Sequence, residues 1–119
     1  MPDNLQIIVH SDKQGAVMYL LGRVSIDTSP DFRDHLLAML RRPSPPEVIA
    51  INLVAVSYMD TSGIATLIQS LKVAREAGIA IHLRGLQGRL LHLFQATGIS
   101  SLFDAGGPTN KVSMTAVSS

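Results

Sequence analysis

The chain is predicted to fold as one α/β domain, a mixed β-sheet of four to five strands with amphipathic helices packed on it. Three observations lead there. Hydrophobic periodicity reads along the chain as β-β-α-β-α-β-α with short connections, the order of a sheet covered by helices. Val48 to Val56, VIAINLVAV, is apolar and β-branched with only Asn52 polar, as expected of a central strand covered on both faces. The 119 residues, 46% of them hydrophobic, suffice for one core and leave no room for a second domain.

The elements follow in order. Leu5 to His10 reads as a strand, and Ser11 to Gly15 as a polar hairpin connection. Ala16 to Leu21 is a second strand that Gly22 interrupts. Ser29-Pro30 opens a helix, with Ser29 as N-cap and Pro30 at the first helical position. Asp31 and Asp34 suit its positive end, and Phe32, Leu36, Leu37 and Leu40 form its apolar face. Pro43-Ser44-Pro45-Pro46 ends it. After the central strand, Ser57 to Thr61 reads as a polar-rimmed loop. Ile64, Leu67, Ile68 and Leu71 then keep helical spacing, with Gly78 as the stop. Ile79 to Leu83 is another strand. Leu86, Leu90, Leu91 and Phe94 suggest a third helix stopped by Gly98, and Leu102-Phe103 a last short strand or packed turn. Residues 1–104 form the domain, and 105–119 read as a flexible tail in which KVSMTAV is a weak edge strand.

Composition excludes several chemistries. Ten Lys and Arg against nine Asp and Glu leave a formal net charge of +1, which argues against a nucleic-acid footprint. Without cysteine there is no disulfide framework, thiolate zinc site or Cys nucleophile. His10, His35, His82 and His92 never stand three or four residues apart, so no local helical metal pair exists, and no metal or cofactor is expected. There is no phosphate-binding Gly-Lys loop and no Gly-x-Ser-x-Gly elbow; Ser62 precedes Gly63, but position 60 is Asp. Met1 to Asn4 lacks the layout of a signal peptide, and no apolar run approaches the ~20 residues of a membrane span. The expectation is a small, soluble, cytoplasmic domain with no catalytic site and no membrane insertion.

One segment stands out. Asp60-Thr61-Ser62-Gly63 joins the most apolar strand to the most regular helix, where α/β folds place ligand and partner contacts. The plainer reading is a helix cap, with Asp60 or Thr61 accepting the first N–H bonds. The sharper reading is that Ser62 presents a hydroxyl for modification, with Gly63 leaving room for another protein's active site.

These residues carry a resemblance. VIAINLVAVSYMDTSG followed by IATLIQSLKVAREAGIAIHLRG is similar to a STAS domain, and in particular to the bacterial anti-sigma factor antagonists, whose loop typically reads Asp-Ser-Ser-Gly or Asp-Ser-Thr-Gly. With Gly22 and Ser29-Pro30-Asp31-Phe32 the resemblance spans about residues 5 to 103. It implies a STAS-like sheet and a phosphorylation switch. Unphosphorylated, such a protein binds a serine-kinase anti-sigma factor and frees a sigma factor. The kinase inactivates it on the loop serine, and a PP2C-type phosphatase restores it. By position Ser62 is the phosphoacceptor, with Thr61 as the alternative, Asp60 and Gly63 shape the loop, and Arg23 and Ser25 stand in the neighbouring partner-binding loop. This chain departs from the pattern in three places. Arg23, Val24 and Ser25 replace an acidic residue, a hydrophobic one and Asp; Asn52 replaces a frequent Asp; and a Gly-Gly-Pro tail replaces the usual C-terminal helix. Two rival readings are a STAS subunit of a lipid-transport ABC complex or signalling scaffold, and a small hydrolase or nucleotide-binding enzyme using the Asp60–Gly63 loop.

Overall fold

A computed structural model describes residues 4–11, 15–98 and 111–112. Its elements are β1 (Leu5–Ser11), β2 (Ala16–Val24), α1 (Ser29–Leu40), β3 (Val48–Met59), α2 (Thr61–Ala77), β4 (Ala80–Arg84), α3 (Gly88–Thr97) and β5 (Lys111–Val112). The strands lie side by side in sequence order, β1 antiparallel to β2 and the others parallel. The β1–β2 register pairs Ser11 with Ala16, a hairpin; Asp12 to Gln14 of that connection lie outside the described residues. Lys111 and Val112 run beside His82 and Leu83, within the stretch read as an edge strand. Leu102-Phe103 and the rest of 105–119 lie outside the described residues.

Period-two alternation decides which side of the sheet is covered. Met18 pairs with Ile51 and Ile51 with Leu83, so these three point to one face, and all are fully buried. Phe32, Leu36 and Leu40 of α1, Leu67 and Leu71 of α2, and Phe94 of α3 complete the same core. The opposite face carries Tyr19, Asn52 and Arg84, also paired in register and at least partly exposed. The fold is thus two layers, and the expectation of a central strand covered on both faces needs correction. Ile49 to Ile51 are buried, but Val54 is 47% exposed and Tyr58 41%. The cause is pairing. β4 reaches β3 only as far as Asn52, and beyond it β3 is bulged twice against β2.

Four local expectations also shift. β2 does not end at Gly22: it continues to Val24, because Gly22 lets the Asn4 carbonyl approach where a side chain would stand, and Arg23 N–H donates to that carbonyl at 3.0 Å. Ser29 is the first helical residue and not the cap. The turn before it takes over, since Ser29 N–H donates to the Ser25 carbonyl at 2.7 Å and the Thr28 hydroxyl receives Ser25 N–H at 2.9 Å. Ser57 to Met59 belong to β3, which leaves Asp60 alone between strand and helix. Leu86 is buried ahead of α3 and not within it. Gly78 and Gly98 end α2 and α3 in the left-handed conformation, as the sequence suggests.

Phe32 is fully buried at the centre of the core, whereas Ile26 is 73% exposed. Phe32→Ala is expected to cost about 3–5 kcal/mol in urea unfolding, and Ile26→Ala less than about 0.5 kcal/mol.

Candidate functional site

The parallel pairing of β2 and β3 brings their carboxyl ends level, Val24 beside Met59. The connections that follow, residues 25–28 and Asp60, therefore meet at one rim of the sheet. Asp60 N–H donates to the Val24 carbonyl at 3.1 Å, closing the register.

Asp60 organises this rim. It is the extended N-cap of α2. Its Oδ1 accepts from the Ser62 backbone N–H at 2.9 Å, the Gly63 N–H at 3.4 Å and the Ser62 hydroxyl at 2.5 Å. Its Oδ2 accepts from Ile26 N–H at 3.1 Å, across 34 positions of sequence. One carboxylate thus caps a helix, orients a hydroxyl and ties down the neighbouring loop. Desolvation pushes its pKa up, but the bonds from the Ser62 hydroxyl and from the Ser62, Gly63 and Ile26 N–H groups outweigh that and hold it below the usual aspartate value.

Ser62 is half-buried at the second position of α2. Its hydroxyl donates its proton to Asp60 Oδ1. Thr61, also expected in the loop, is exposed at the first helical position. Gly63 requires a correction. It is buried, and a Cβ there would stand 2.7 Å from Met59 Cγ and 2.8 Å from Val24 Cγ1. Its missing side chain seats α2 on the strand ends and does not clear a path for another protein.

Of the two residues expected in the companion loop, only Ser25 lies in it; Arg23 belongs to β2, paired with Tyr58 of β3. Arg23 is exposed, with its guanidinium 4.1 Å from the centre of the Tyr58 ring, its cross-strand neighbour. Ser25 is 5% exposed and faces inward, its hydroxyl accepting Asp27 N–H at 3.2 Å. It shapes the loop, and Ile26 takes the exposed place. Local sequence pattern does not single out Ile26 or Tyr58: Ile26 is the one large aliphatic residue in the polar stretch SIDTSP, and Tyr58 reads as part of a loop. Among the described residues no group of three or more His, Asp or Glu could hold a metal ion.

Asp60→Ala removes the cap and the loop tie together, and is expected to lower stability by about 1–2 kcal/mol in urea unfolding at neutral pH. The Asp60 carboxyl titrates lower folded than unfolded, so its stabilisation is complete above about pH 4 and disappears as pH falls through the lowered value. Asp60→Asn should therefore lose less stability than the parent between pH 4 and the acid transition, a comparison read from urea midpoints against pH. Gly63→Leu should destabilise by more than about 1 kcal/mol through overpacking against Met59 and Val24.

The STAS domain family model matches residues 6–116. The chain is 25% identical over 101 residues to the anti-sigma-B factor antagonist of Bacillus subtilis strain 168, covering 85% of this chain and 90% of that one. In structure it is similar to an anti-sigma factor antagonist from Mycobacterium paratuberculosis, with TM-score 0.70, 22% identity, and 87% of this chain and 86% of that one covered. It is also similar to the phosphorylated form of the Bacillus cell-fate determinant SpoIIAA, with TM-score 0.66, 16% identity, and 94% and 93% covered. No helix among the described residues is long and apolar enough to cross a membrane. With the five-stranded mixed sheet, the helices on its inner face and the Asp60–Gly63 rim in hand, the chain belongs to the STAS domain family.

Proposed function

We propose that this protein is an anti-sigma factor antagonist, a non-catalytic cytoplasmic binding switch. Unphosphorylated, it binds a serine-kinase anti-sigma factor and so frees a sigma factor. Phosphorylation of Ser62 by that kinase releases it, and a PP2C-type phosphatase restores it. The observation that carries this reading is the Ser62 hydroxyl, held by the Asp60 carboxylate at 2.5 Å at the start of α2, on the rim where two loops meet. The similar Bacillus subtilis protein is an anti-sigma-B factor antagonist, and the structurally similar SpoIIAA exists in a phosphorylated form, both of which support this reading.

The physics of a phosphate at Ser62 suits a switch. It adds about −1.5 to −2 charges to a neutral hydroxyl. Facing one partner carboxylate at ~5 Å with an effective dielectric near 20, it meets about 5–7 kcal/mol of repulsion before salt screening. Half of that weakens binding by about a hundredfold. Within the protein two fields oppose each other: the start of α2 attracts the phosphate by about 0.3–1 kcal/mol, and the Asp60 carboxylate repels it.

Ser62→Ala should bind the kinase and resist phosphorylation. Ser62→Asp should bind at least about tenfold more weakly, with circular dichroism unchanged. Mass spectrometry after incubation with the cognate kinase should place the phosphate on Ser62. A phosphate on Thr61, or equal binding by the two variants, would move the switch to another residue.

A further inference from the structure

Ile26 is the most exposed large apolar side chain among the described residues, 73% exposed where Val54 is 47% and Ile8 45%. No loose loop holds it there. Each backbone N–H from Ser25 to Ser29 has an acceptor. Ser25 N–H donates to the Thr28 hydroxyl oxygen at 2.9 Å, and Asp27 N–H to that of Ser25 at 3.2 Å. Thr28 and Ser29 N–H both donate to the Ser25 carbonyl, at 3.1 and 2.7 Å. The Thr28 hydroxyl in turn donates to the Arg23 carbonyl at 2.8 Å, which anchors the loop to the end of β2.

The remaining N–H, that of Ile26, crosses to the start of α2 and donates to Asp60 Oδ2 at 3.1 Å. The Ser62 hydroxyl donates to Oδ1 of the same carboxylate. Ile26 and Ser62 are therefore fixed to one group. The exposed residues beside them, Asp27 and Thr61, are polar, so Ile26 is a single apolar point in a polar rim.

We propose that Ile26 is the apolar anchor of the contact made at this rim, seated in an apolar socket of the serine-kinase anti-sigma factor when that protein engages Ser62. The proposal rests on the antagonist reading and adds the residue that supplies affinity. A protruding side chain, unlike a cavity, calls for a partner with the concave half. Burying a whole aliphatic side chain of this size is worth about ten- to a hundredfold in affinity. The loop is already ordered by its own hydrogen bonds, so docking it costs little further conformational entropy. An apolar centre ringed by polar contacts is also the usual layout of a binding hot spot.

The test is calorimetric titration of the full chain with the serine-kinase anti-sigma factor of its own organism, in the Ser62→Ala background so that no phosphate forms. Added Ile26→Ala is expected to weaken binding by about tenfold or more, and Ile26→Leu by less than about threefold. Ile8→Ala, on β1 opposite Tyr19 and away from the rim, should change binding by less than about twofold. With Ser62 present, Ile26→Ala should raise KM for phosphorylation by about tenfold and leave kcat within about twofold, because the anchor binds ground state and transition state alike. Equal binding by Ile26→Ala and its parent would overturn this proposal alone. So would equal weakening by Ile8→Ala, a fall in kcat with KM unchanged, or methyl contacts between Ile26 and another part of the chain in the free protein. Failure of Ser62→Ala to bind the kinase at all would instead overturn the antagonist reading, and this proposal with it.

Discussion

The rim of this protein depends on a single carboxylate. Asp60 accepts the first N–H bonds of α2, the proton of Ser62 and the amide of Ile26. Each neutral bond contributes about 1 kcal/mol, and those to a charged acceptor somewhat more. Together they convert two loops, which would otherwise move independently, into one surface of defined shape. The depressed pKa of Asp60 is the electrostatic record of that arrangement: the charged form is the one the surroundings are built to hold.

The sheet supplies the frame in which this works. Parallel pairing of β2 with β3 puts both strand ends at the same level, and the Asp60 N–H to Val24 carbonyl bond locks it. Gly63 lets α2 settle directly on Val24 and Met59, both buried. A helix seated that closely holds Ser62 at the surface with little freedom to retreat. The same geometry explains why Ser25 turned inward. It sits at the tight exit from β2, where its carbonyl and hydroxyl are consumed by the turn that starts α1.

Charge and exposure at the rim follow no simple rule of loops being polar. Ile26 stands out in water beside the Asp60 tie, and Arg23 is drawn over Tyr58 by a cation–π contact of about 0.5–1 kcal/mol. An isolated exposed apolar side chain needs no explanation. One tethered through its backbone to the residue that orients Ser62 is positioned by the same bonds as the hydroxyl itself. Arg23 and Tyr58 extend the surface from there, so its charge changes from anionic at Asp60 to cationic at Arg23.

The sequence by itself determined the element order, the apolar faces of α1 and α2, the glycine stops at Gly78 and Gly98, and the Asp60–Gly63 cap, because each rests on contacts within a few residues. The N-cap pattern and helical spacing are local rules and could be read directly. What tertiary structure decided is everything that depends on which strand lies beside which. An apolar run such as Val48–Val56 looks the same whether one face or two are covered, and only the short β4 shows that its second half is open. Gly63 reads as free space in sequence and is a packing contact in the fold, because Val24 is nearly forty residues away. The bond from Ile26 to Asp60 spans 34 positions and exists only because β2 and β3 end at the same height, a fact of register that no local pattern encodes.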